Sequence, residues 1–353
     1  MRTVGDVVRW WLERVENDDR RSLQYRRSTK SLVRKHVLPR LDRLTLRKLD
    51  RVAVDDKLAF PMFQEGLAPR TVQKAIQHLR QAFSMAYEQG RIKENPMEVI
   101  AFRNFYRGAL KPKPAALNRL DLPVLVRDLA EHFNADPVRG FLPLWMLMHG
   151  TRIAETLSTE QRYVSVEDAL WVIREVDTKS YRTRNIPLTP QALGLLERYR
   201  NALRGRRVSV WLFPARWAVR GADRAVSERT GHTWISEASG GEWTSHDLRK
   251  VMRDGLGVIK VDYGVAEMLI GHSLGVVAAT YQGTLDGHFR DALERWHGHL
   301  DSFGFRAAHG VDSAAVAFLS GGANASSAGL TEEHSISTGR VCKLGESAVG
   351  GEV

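Results

Sequence analysis

Cysteine is nearly missing from this chain. Cys342 is the only one among 353 residues, so no intrachain disulfide can form and no thiolate metal site can be assembled. No run of eighteen apolar residues exists, which excludes a membrane-spanning helix. The first residues, Met1 to Asp6, meet a carboxylate at once and pass into a charged amphipathic pattern, so they do not read as a secretory signal. Together these absences predict a protein of a reducing compartment, the cytoplasm, with no membrane partner. Acidic charge is also short: 41 Asp and Glu stand against 52 Lys and Arg, a net +11. The deficit is uneven. Residues 304–353 hold Arg306, Arg340 and Lys343 against five carboxylates, a net −2, which leaves +13 on residues 1–303. Concentrated positive charge of this kind points to a polyanion, because cations that neutralise phosphates gain affinity by releasing counterions.

What is present begins with helices. Val4, Val7, Val8, Trp11, Leu12 and Val15 recur at helical spacing. Arg20 to His36 reads as a second helix with a strongly basic face (Arg26, Arg27, Lys30, Lys35), broken at Pro39. A Leu46 to Ala59 helix is expected to end before Pro61. Pro69 opens a fourth helix, which carries Arg70 and Lys74, runs over Thr71 to Gln89 with one apolar side, and stops at Gly90. The first 103 residues therefore read as a helical domain with no strand pattern. Residues 104–118, with Lys111-Pro112-Lys113-Pro114, read as a basic linker crossing a polyanion.

Residues 119–303 mix periods. Leu120 to Leu129 and Phe141 to Met148 are helical, and Arg152 follows directly, with Glu155 three residues on and able to hold it by hydrogen bonds. Tyr163–Val166 and Leu170–Ile173 form a hairpin candidate, and Arg184–Leu188 a third strand. Residues 190–203 are helical again. A helix from His246 to about Leu256, capped by Thr244 or Ser245, puts His246 and Arg249 one turn apart on one face. Val265–Ile270 is a short helix stopped by Gly271, with His272 just outside and Tyr281 nine residues further on. Asp286 to Phe303 forms a last amphipathic helix, whose apolar face suits core packing in its own subunit. The Gly-, Ala- and Ser-rich residues 304–353 read as a disordered tail, with Ala314 to Leu319 its one apolar patch. Two imidazoles, guanidinium groups and a phenol are the groups needed to handle a phosphate: forked donors, a proton carrier near neutral pH, and a nucleophile.

Arg152, Lys179, His246-x-x-Arg249, His272 and Tyr281, in that order, resemble the catalytic set of the tyrosine recombinases, the phage integrase family. The resemblance spans roughly residues 3–303. It implies a mainly α fold with a small antiparallel β-sheet, an α+β class made of a helical N-terminal core-binding domain and an integrase-like catalytic domain. It also implies double-stranded DNA as partner, a homotetramer in the synaptic complex, room for accessory DNA-bending proteins, nucleoid association, and no cofactor or metal. By this resemblance the chain is expected to start at the core-binding helix, without the arm-type domain of longer integrases. One departure is the absence of the family's tryptophan on the strand after the first Arg motif, where Gln161-Arg162-Tyr163 stands.

By the same resemblance, Tyr281 attacks the phosphorus, and Arg152, Arg249 and His272 donate to the non-bridging oxygens. Lys179, delivered on a β-hairpin, protonates the leaving 5′-oxygen, and Glu155 stands behind Arg152. His246 serves the tyrosine proton as base or as hydrogen-bond partner. DNA contacts are expected from Arg26, Arg27, Lys30, Lys35, Arg70, Lys74, Lys111 and Lys113. Three rivals stay open: a type IB topoisomerase with the same chemistry, a catalytically silent DNA-binding regulator, and a metal-dependent nuclease. The last would need clustered carboxylates or histidines where this chain has cations.

Overall fold

The computed structural model describes residues 1–111, 114–178, 183–205, 208–216, 222–272 and 285–312. The chain divides into two compact units, Met1–Lys113 and Pro114–Val353. Among the described residues it is mainly helical, with one three-stranded antiparallel sheet, the class expected from the sequence.

In the first unit, α1 (Val4–Glu16) starts at Thr3, whose hydroxyl accepts from the Asp6 N–H while the Asp6 carboxylate accepts from the Thr3 N–H. Its predicted stripe, Val4, Val7, Val8, Trp11, Leu12 and Val15, is buried throughout. It packs against α6 (Pro69–Glu88), whose apolar side from Val72 to Ala86 is buried as well.

Both proline breaks fail, and for one reason. Helix α2 (Leu23–Leu32) runs through a π turn, Val33–Val37, into α3 (Leu38–Leu41), carrying the chain past Pro39. Likewise α4 (Arg51–Val54) continues through a π turn, Asp55–Ala59, into α5 (Phe60–Gln64), past Pro61. In an α-helix the proline lacks its N–H and its ring strikes the carbonyl four residues back. Here the residue before each proline reaches back one residue further, Leu38 N–H to Val33 O and Phe60 N–H to Asp55 O, and the widened turn makes room for the ring. The expected Leu46 to Ala59 helix is accordingly shifted, with only a 3₁₀ turn, Leu46–Lys48, at its start.

In the second unit, α7 (Leu122–Ala135) turns at Asp136, whose carboxylate caps α8 (Pro137–His149) by accepting from the N–H groups of Val138 and Arg139. Every α8 residue from Gly140 to His149 is buried, so this helix is the axis of the core. After α9 (Ile153–Leu157) comes the sheet β1 (Val164–Ser165), β2 (Leu170–Ile173) and β3 (Arg184–Pro187), with Val164 opposite Trp171 and Ile173 opposite Arg184. Trp171, on the second strand, fills the core between Trp145 and His149 at 5.5 Å centroid distances. Then follow α10 (Pro190–Ala202), α11 (Glu228–Ser239), α12 (Ser245–Val258), α13 (Tyr263–Leu269), α14 (Leu285–Asp301) and α15 (Arg306–His309).

Helix α14 packs in its own unit, with Phe289, Ala292, Leu293, Trp296 and Leu300 buried. It is stitched to the end of α8: the Trp296 indole N–H donates to Leu147 O at 3.1 Å, and His297 Nε2 bonds Met148 O at 3.1 Å. Thr189 holds the other His297 nitrogen at 2.6 Å. The expected tail boundary at 304 is also too early. Phe305, Ala308 and His309 are buried, and α15 packs on α7 and α10, because an apolar pair one turn apart finds an open flank of the core. Residues 313–353, including the Ala314 to Leu319 patch, lie outside the described residues.

Candidate active site

The site forms where the end of α8, the start of α12 and the end of α13 are tied together, across separations of up to 119 residues. Helix α8 ends at Gly150, in the left-handed region at φ +60°, where a Cβ would come within 2.5 Å of the Met252 sulfur. Only glycine reverses the chain there without strain. The turn presents Arg152 at the start of α9. Glu155, 1% exposed, accepts from the Arg152 backbone N–H at 3.2 Å and from its guanidinium at 2.6 Å. Its carboxylate also takes a bond from the guanidinium of Arg184, which reaches in from β3 and donates to Leu269 O at 3.0 Å. Burial pushes Arg184 below the ordinary arginine value, with Arg152 adding to the effect and Glu155 opposing it.

Helix α12 supplies the second piece. The Asp247 carboxylate accepts from the Thr244 N–H at 3.1 Å, from its hydroxyl at 2.7 Å and from the Ala116 N–H at 3.3 Å, which fixes the first turn. One turn on, Arg249 is 4% exposed and donates to Gly150 O at 2.5 Å. Among the described residues its other terminal nitrogen is buried without a partner. Burial, then repulsion from Arg152, brings the Arg249 guanidinium down to about 10. His246 lies at the same helix end, more open to solvent. Partial burial first, and then Lys250 and Arg249, push its imidazole below the ordinary value.

The third piece is the end of α13. Gly271, at φ +77°, turns beneath Arg184, whose guanidinium would sit 2.5 Å from any Cβ there. The Arg152 guanidinium reaches Gly271 O at 3.5 Å, which brings His272 beside it. His272 Nδ1 lies 2.5 Å from Glu267, and the other oxygen of that carboxylate bonds Arg253.

Arg152, Glu155, His246, Arg249 and His272 are thus gathered in one place. Lys179 and Tyr281 lie outside the described residues, as does Lys113. In the first unit, Arg26 bonds Asp19 and Glu16 O, and Lys30 bonds Glu16 at 2.6 Å. Arg27, Lys35, Arg70, Lys74 and Lys111 are exposed, and none makes an ion pair among the described residues. Two residues escaped the sequence reading. Arg184 could have been found, since it shares the inward register of its strand with Ile186 while Asn185 points out, so it had to be a buried cation. Glu267 carries no such signal. Among the described residues no group of three or more His, Cys, Asp and Glu could hold a metal ion.

The balance of charge at this site is lopsided. Arg152 and Arg184 both bond a single buried carboxylate, Glu155, Arg249 bonds the carbonyl of Gly150, and among the described residues Arg184 Nε and Arg249 Nη2 have no partner. Buried cations are costly without anionic partners, so the arrangement is built to receive one.

Residues 129–287 match the phage integrase family. Among curated proteins, the chain is 27% identical to the tyrosine recombinase XerD of Pseudomonas aeruginosa over 262 residues, covering 72% of this chain and 84% of that one. An integrase of Saccharopolyspora erythraea is 28% identical over 158 residues, 43% of this chain and 33% of the relative. Among solved structures, a lambda integrase dimer bound to a COC′ core site covers 78% of this chain and 97% of that one, at TM-score 0.58 and 14% identity. The Tn1549 transposon integrase in complex with a circular intermediate DNA covers 80% of this chain and 95% of that one, at TM-score 0.62 and 14% identity. At such identities the structures speak for the fold alone. Fold and sequence agree: residues 129–287 match the phage integrase family, and over 72% of its length the chain is similar to a tyrosine recombinase.

Proposed function

We infer that this chain is a site-specific DNA recombinase that breaks and rejoins strands through a covalent tyrosine link. Tyr281 attacks a backbone phosphorus, the P–O5′ bond breaks, and a 3′-phosphotyrosyl bond forms. Lys179 gives its proton to the departing 5′-oxygen, and His246 handles the tyrosine proton. Arg152, Arg249 and His272 donate to the non-bridging oxygens as charge builds, a duty for which each preorganised donor is worth roughly 3–4 kcal/mol. The link conserves the phosphodiester energy, so rejoining to another strand needs no cofactor. Working on double-stranded DNA as a homotetramer, with accessory DNA-bending proteins where the site demands them, it would be found with the nucleoid in the cytoplasm. A relative of this fold, lambda integrase, has been solved as a tetramer bound to a Holliday junction.

The observation that carries this reading is the surplus of guanidinium at the meeting of Gly150–Arg152, Arg249 and Gly271–His272, with a buried Arg249 donor unspent among the described residues. The test is a library of nicked duplexes with randomised centres, in which a cleaved short strand leaves and traps the protein on DNA. A protein–DNA adduct that Tyr281→Phe abolishes is expected. Lys179→Ala should regain cleavage on a duplex with sulfur in place of the 5′-bridging oxygen, which needs no protonation. No adduct from the wild type refutes the reading, and supercoil relaxation without site preference would make it a topoisomerase instead.

A further inference from the structure

We propose that Glu267 is the positioning residue of His272: it grips Nδ1 and so delivers Nε2 as a fixed donor to the phosphate. The inference rests on the reading of His272 as a phosphate ligand given above. Three observations carry it. The carboxylate is itself held, one oxygen by Arg253, whose guanidinium also stacks over the Tyr263 ring at 4.8 Å, and the other by the imidazole at 2.5 Å. It stays ionised, because the bonds from Arg253 and His272 outweigh the burial that would raise it. And the backbone closes the same loop, His272 N–H donating to Glu267 O at 2.9 Å and Gly271 N–H to Met268 O at 2.9 Å, which holds the two residues side by side.

The chemical consequence follows from the two ring nitrogens. An imidazole that donates from Nδ1 to a carboxylate can also donate from Nε2 only as an imidazolium. Glu267 on one side and a phosphodiester on the other give that cation an anion at each end. The other charges of this site are Arg152, which reaches the carbonyl of Gly271, Arg184, which covers Gly271, Arg249, which Glu267 stabilises from a distance, and Arg253 behind the carboxylate. Without Glu267 these guanidinium groups would surround the ring with no anion on its Nδ1 side. Orientation and charge both depend on one side chain.

The experiment compares Glu267→Leu and Glu267→Gln, each alone and combined with His272→Ala, by adduct formation on a nicked duplex recovered from the randomised library. Glu267→Leu should slow cleavage about 10–100-fold, the usual loss when a carboxylate behind a working histidine is removed. Gln keeps an acceptor for Nδ1–H and should recover part of that loss. In the His272→Ala background both substitutions should change the rate less than about twofold, since the group they position is gone. A loss of equal size in that background would make Glu267 a general structural support and overturn the proposal, as would a Glu267→Leu enzyme that cleaves at the wild-type rate. If wild-type protein forms no adduct, the reading of the whole site falls and this proposal with it.

Discussion

Removing the Glu155 carboxylate should damage the fold more than any other single change at the site. In Glu155→Ala, Arg184 keeps only its bond to Leu269 O, and Arg152 loses its partner both for the guanidinium and for the backbone N–H. Breaking a buried ion pair from one side leaves an uncompensated charge, at a cost of roughly 3–5 kcal/mol. For a unit of this size each kcal/mol moves the midpoint by about 2–4 °C, so the transition of the second unit should fall by roughly 6–20 °C in calorimetry. The control is Glu155→Leu with Arg184→Met, which replaces the charges by apolar volume. It should recover most of the stability while cleavage stays impaired, because Arg152 remains unheld. A shift below roughly 3 °C in Glu155→Ala, or a double variant as unstable as the single, would refute the charge argument.

Four further outcomes are expected. Arg249→Ala should lower cleavage about 10²–10³-fold while DNA binding, followed by gel shift, changes far less, because the donor acts on the transition state. Gly271→Ala should cost about 1–3 kcal/mol in urea denaturation and displace His272, since φ +77° and the Arg184 guanidinium both oppose a Cβ. Burial holds His149 at about 4 and His297 at about 3, so both stay neutral in the fold. Their stability contribution is intact above pH 6.5 and lost as pH falls toward these values, because only the unfolded chain takes up the protons. At pH 5 each should cost about 2 kcal/mol, and His149→Phe should shrink the difference in unfolding free energy between pH 7.5 and 5, from urea denaturation, by that amount. Replacing exposed Arg70 or Lys74 by Ala should each reduce the slope of log affinity against log salt by about 0.9, whereas an unchanged slope would remove that residue from the DNA contact.

Much of this protein is legible along the chain. The stripe from Val4 to Val15 and the apolar side from Val72 to Ala86 are local periodicities, and one buried face is enough to fix a helix and its orientation. The cation and imidazole positions at Arg152, His246, Arg249 and His272 are likewise visible as residue types in order. The sequence could not say that Pro39 and Pro61 would be passed by π turns, since that depends on packing that tolerates a widened helix. Nor could it say that residues 304–309 belong to the core, because their apolar side chains are too few to show a period.

Composition and periodicity determined by themselves that this chain is basic, largely helical, without an intrachain disulfide, and supplied with the residue types that handle phosphate, because those properties depend on residue identity and near-neighbour spacing. Only tertiary structure decided which carboxylates serve which cations. Glu155 is three residues from Arg152, yet its second partner, Arg184, arrives from a strand 29 residues away. Arg249 finds Gly150 O across 99 residues and Arg152 finds Gly271 O across 119. Partnerships at such separations exist only once the core has closed, since burial is what makes an unpaired charge costly and so selects its partner.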